Sequence, residues 1–142
     1  MYHYLSEDEK YAIIYAMNCV IGADGVMQPE ENKLRSKMLI YLELYKTKED
    51  EPIIRRKMEE MNVYRAVALL SNLPEQLKKF AVAAMVGTMK ADGIKHSQEI
   101  HTIDVITSHA KLPHVSEQEA YDILNQCGLI GSKWNLLWKT LF

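Results

Sequence analysis

The chain has 142 residues, 48% of them hydrophobic and 25% charged, enough to bury one core without metals or disulfides and far from the composition of a disordered segment. Lys and Arg number 17 against 19 Asp and Glu, a formal charge of -2, which argues against nucleic acid as a partner because no bulk basic field is present. The acidic start, Met1 to Glu9, lacks the basic and apolar regions of a secretory signal, and the longest nearly apolar run, residues 12–23, falls short of the roughly 20 residues a membrane span needs. A cytoplasmic protein with no membrane span is the expectation. Cys19 and Cys127 lie in apolar helical sequence without CxxC spacing and read as buried free thiols of a reducing compartment.

In chain order, Ser6-Glu7-Asp8-Glu9 is a capping box that opens a first helix. Its apolar positions Ile13, Met17, Val20 and Ile21 lead to Asp24-Gly25, where Gly25 is the expected stop. Pro29 suits the first position of a second helix, with Gln28 as cap and Glu31 at N3, running to about Lys46. A third helix begins near Asp50 and turns Ile53, Ile54, Met58 and Met61 inward, with Pro52 tolerated in its first turn. Asn62 caps a short fourth helix carrying Val63, Val67 and Leu70, which ends at Asn72-Leu73 ahead of Pro74.

The fifth helix, residues 75–91, is apolar nearly throughout and rich in small residues, so it reads as the central one. Gly93 stops it. A sixth helix over residues 97–110 presents Ile100, Ile103, Val105 and Ile106, and Leu112-Pro113 breaks it. Ser116-Glu117-Gln118-Glu119 is a second capping box, opening a seventh helix to about Gln126. Trp134, Leu137, Trp138 and Leu141 then share one face of a final aromatic helix over residues 132–142, a candidate to close the core or to anchor a partner. No strand-like alternation occurs. The prediction is an all-α, single-domain helical bundle of seven to eight helices.

The bundle is built from two similar halves. Ala23-Asp24-Gly25 followed by Glu31 recurs as Ala91-Asp92-Gly93 followed by Glu99, and the offset of 68 residues from Asp24 to Asp92 also aligns Leu5-Ser6-Glu7 with Leu73-Pro74-Glu75 and Ala16-Met17 with Ala84-Met85. The halves span about residues 5–60 and 73–127. Local rules explain much of each copy as a helix stop followed by a helix start. Two functional readings stand beside that one. Asp24, Glu31, Asp92 and Glu99 form an acidic surface for a partner, or they hold a hard divalent cation, which prefers carboxylate oxygens.

Other chemistry is poorly served. An EF-hand needs several oxygen ligands before its glycine, and each turn here has one aspartate. A catalytic pair of aspartates would need a cleft that separates their pKa values. His96, Glu99, His101, Asp104 and His109 cluster in sequence, but His96 and His101 are five apart, not the four of a helical zinc motif. No nucleophile elbow, P-loop or dinucleotide fingerprint is present. The sequence therefore predicts no catalytic residues and no cofactor beyond a divalent cation.

The twofold A-D-G, each followed by glutamate and preceded by an apolar small-residue helix, together with Leu112-Pro113-His114-Val115-Ser116-Glu117, resembles the TerB-like domain of tellurite-resistance and related proteins over about residues 5–127. That resemblance implies a bundle of about seven helices, a bacterial cytoplasmic setting and no established catalytic activity. It also implies an acidic surface tied to stress response and to metal or protein-partner binding, carried here by Asp24, Glu31, Asp92 and Glu99. The chain departs from the pattern around Asp92, where Lys90, Lys95 and His96 replace an acidic or hydroxyl-bearing neighbourhood.

Overall fold

The structure, a computed structural model, describes residues 5–23, 29–91 and 97–130. Asp24, Gly25, Gln28, Asp92, Gly93, Lys95 and His96 fall outside the described residues, as does the Trp134 and Trp138 segment. Seven helices run through the described residues, with no strand among them: α1 (Glu7–Ile21), α2 (Pro29–Tyr41), α3 (Asp50–Glu60), α4 (Val63–Ser71), α5 (Glu75–Lys90), α6 (Ser97–His109) and α7 (Glu117–Gln126). The fold is an all-α helical bundle. None of these helices is long and apolar enough to cross a membrane.

The helix starts follow their local chemistry. The Ser6 hydroxyl accepts from the Glu9 amide at 3.2 Å while Glu9 Oε1 accepts from the Ser6 amide at 2.8 Å, so two orphan donors are satisfied reciprocally. Ser116 and Glu119 repeat the arrangement at α7 with distances of 3.1 and 3.2 Å. At α4 the Asn62 side chain accepts from the Arg65 amide at 2.9 Å.

The helix ends differ from the sequence expectation. Helix α1 stops at Ile21, with Gly22 as its cap in an ordinary right-handed conformation, ahead of Gly25. The Ala23 amide reaches Val20 O at 3.2 Å, which tightens the last turn and closes the helix early. Helix α2 stops at Tyr41 instead of continuing to Lys46. Glu43 there takes a left-handed φ of 62°, and its amide bonds Ile40 O while the Leu44 amide bonds Leu39 O at 2.9 Å. This is a Schellman end with glutamate where glycine is usual. Helix α6 ends the same way at Lys111, φ 53°, with the Leu112 amide on Thr107 O.

Glu43 and Lys111 are themselves 68 residues apart. The offset of the sequence repeat is thus the offset of the helices, since α2 corresponds to α6 end to end and α1 to α5 within one residue. One contiguous apolar core runs from Leu5 to Ile130. Helix α5 lies at its middle, with every residue from 80 to 90 buried and α1, α2, α4, α6 and α7 packed against it. Helical spacing alone misplaces four apolar side chains, because Ile53, Val63, Ile100 and Val105 are each more than a third exposed. Periodicity shows that an apolar face exists; neighbouring helices decide how much of it is covered.

Candidate functional site

The four acidic positions of the repeat divide in two. Asp24 and Asp92 lie in residues 24–28 and 92–96, outside the described residues. Glu31 and Glu99 occupy the third position of α2 and of α6, and both are fully buried at 0% exposure. The acidic surface therefore does not include them. Helical register carries each side chain inward in the first turn, beside the apolar residues Leu34 and Ile103 that their helices turn toward the core.

Burial separates these two glutamates from the two others in the same register. Glu9 and Glu119 close capping boxes at the surface, where Glu119 is exposed and Glu9 half-buried. A cap alone does not require burial, and taking a carboxylate out of water costs several kcal/mol unless charge or hydrogen bonds offset it. Neither Glu31 nor Glu99 stands without a partner. The sequence does mark a difference, since Glu9 and Glu119 follow Ser6 and Ser116 in full capping boxes whereas the residues three before Glu31 and Glu99 are Gln28 and His96, but it gives no sign of burial.

A third buried charge accompanies them. Lys90, in the last turn of α5, is only 5% exposed, and its Nζ lies 3.9 Å from Glu117 Oε1 at the start of α7. The sequence marks Lys90 as a neighbour of Asp92 but not as a core residue. Its place just after the apolar run Phe80 to Val86 and the Gly87-Thr88-Met89 that follows it was the available sign. Thr88, also fully buried, satisfies its hydroxyl by donating to Ala84 O at 2.8 Å.

The histidine cluster does not converge. His101, Asp104 and His109 are exposed on α6, and His109 Nδ1 is engaged by Val105 O of its own helix at 2.8 Å. Among the described residues no three His, Cys, Asp or Glu side chains are grouped to hold a metal ion. Cys19 and Cys127 are free and half-buried, not buried as expected. Burial pushes the Cys19 thiol above its ordinary pKa, with a hydrogen bond from Tyr15 acting in the opposite sense.

Neither a family model nor a curated protein matches the chain. Among solved structures it is similar to a protein of unknown function, PG1108 from Porphyromonas gingivalis W83. That similarity has a TM-score of 0.70 at 21% identity, covering 85% of this chain and 90% of that one. At such identity the likeness establishes a shared helical fold.

Proposed function

We propose that the chain is a non-enzymatic, cytoplasmic interaction module of the TerB-like kind, with a role in stress response. Its working residues are Asp24 and Asp92, backed by Glu31 and Glu99. The observation that supports this reading is the matched burial of the two glutamates, at 0% exposure in the same register of both halves, each seven residues after an aspartate of an Asp-Gly turn. Helix capping does not call for that burial. Both halves keep a buried, partnered carboxylate at the same place, which favours a use beyond closing a helix cap. The aspartates then meet a basic group on a protein partner.

Asp24→Asn combined with Asp92→Asn tests it by capture from the native host. Loss of a partner that the wild type retains, at nearly unchanged melting temperature, is the expected result. A large drop in melting temperature would instead assign both aspartates to helix capping, and undiminished capture would remove them from the interface.

The burial of two carboxylates next to the turns also favours a second reading, a divalent cation held by the same four side chains. Calorimetry with calcium, magnesium, manganese and zinc decides it. Absence of both heat and thermal stabilisation would eliminate the cation.

A further inference from the structure

The repeat builds one groove twice. The first, of about 730 Å³, lies between α1, α2 and α3; the second, of about 620 Å³, lies between α5, α6 and the segment entering α7. In the 68-residue register Asn18, Arg35, Leu39 and Ile40 of the first fall on Val86, Ile103, Thr107 and Ser108, and all four of these line the second. The floors nevertheless differ in kind. Where the second groove has the apolar pair Val86 and Ile103, the first has Asn18 and Arg35, joined by a hydrogen bond from Arg35 Nε to Asn18 Oδ1 at 2.6 Å.

That polar pair is not demanded by the architecture, because Val86 and Ile103 occupy its positions in the other half, where they are 6% and 7% exposed. Arg35 is half-buried and makes no ion pair among the described residues. Burial also holds its pKa below the usual guanidinium value. Asn18 is steadied in turn by its Nδ2, which donates to Met58 Sδ at 3.4 Å. With Nε committed to Asn18, the two terminal nitrogens form the fork that matches a carboxylate bidentately. Beside them Leu39 and Ile54, each 6% exposed, supply an apolar wall, and Ile40 stands at the rim, 59% exposed.

We propose that the groove between α1, α2 and α3 binds a small amphipathic monocarboxylic acid, with its carboxylate on Arg35 and its hydrocarbon chain along Leu39, Ile54 and Met58. The volume falls within the roughly 300–1,000 Å³ of small-molecule sites. Charge selects the head group. The remaining charges of the groove all belong to exposed positions of α3, Glu51, Arg55 and Glu59. Glu51 already accepts from the Tyr45 hydroxyl at 3.3 Å. Arg35 on the floor and Arg55 at the rim are balanced by the two rim carboxylates Glu51 and Glu59, so the groove has no net positive charge to hold a doubly charged phosphate, and a singly charged acid suits it better.

Octanoate is the probe, titrated into the full chain by calorimetry and by NMR of the Arg35 Nε–H resonance. Saturable binding that shifts this resonance is expected, with octan-1-ol and octylammonium weaker by about tenfold or more. Arg35→Ile with Asn18→Val converts the first floor into a copy of the second. This double variant should fold, with a melting temperature equal to or above the wild type, and should lose octanoate affinity by at least about tenfold. Octanol binding as tightly as octanoate, no octanoate binding, or full retention by the double variant would each overturn the proposal. Failure of the double variant to fold would overturn its premise that the pair is dispensable. A peptide ending in a free leucine carboxylate that binds better than octanoate would replace the free acid with a protein C-terminus.

Discussion

Helices α1 and α5 hold equivalent places in the two halves, yet their third helices treat them differently. Helix α7 packs extensively on α5, whereas α3 only touches α1. One position bears on the close approach of α7. A Cβ on Gly87 of α5 would come within 2.4 Å of Leu124 Cδ1 in α7 and 3.2 Å of Leu34 Cδ2 in α2, so the bare backbone is what admits the neighbour. The matching residue of α1 is Cys19, half-buried, with its thiol directed to Tyr15. Duplication thus set the course of the helices, and single side chains set how closely each half closed.

The polar features common to both halves give the largest expected effect. Glu31→Ala and Glu99→Ala should each destabilise by about 3 kcal/mol, since each removes a buried, engaged carboxylate, while Glu9→Ala at the surface cap should cost about 1 kcal/mol. Urea midpoints measure all three. Equal small losses would show that the buried pair are ordinary caps. Next in size, Gly87→Cys makes α5 resemble α1 and should cost about 2 kcal/mol by overpacking Leu124. The reciprocal Cys19→Gly should cost only about 1 kcal/mol, from helix propensity. If the two losses were alike, close approach of α7 would not depend on the missing Cβ.

Smaller still, Glu43→Gly and Lys111→Gly should each stabilise by about 0.5–1 kcal/mol, read as a rise in melting temperature, because glycine adopts the left-handed conformation without strain. The least effect should come from acid. Amides of Lys46 and Thr47 hold Asp50 below the usual carboxylate range, and Ser116 does the same for Glu119. A depressed folded-state pKa gives stability that is present above the unfolded pKa and lost as pH falls through the folded one. Asp50→Asn and Glu119→Gln should therefore flatten the fall in melting temperature on acidification below that ordinary range.

What could be read from the sequence followed the range of the interactions involved. Ser6, Asn62 and Ser116 announce helix starts because a cap is closed by residues three apart. The end of α2 gave no such sign, since its left-handed residue is Glu43 and not glycine. For the candidate site, the repeat located Glu31 and Glu99, but their burial depends on helices distant in sequence. Arg35 escaped notice for a different reason. A lone arginine on a polar helix is unremarkable until the 68-residue register sets it against Ile103.

The casing of α5 also bears on how the molecule opens. With buried side chains from 80 to 90 and five helices around it, the amides of that stretch have no route to solvent through local fraying. Deuterium should enter this helix last, at the rate set by global unfolding, while α3 exchanges by smaller openings.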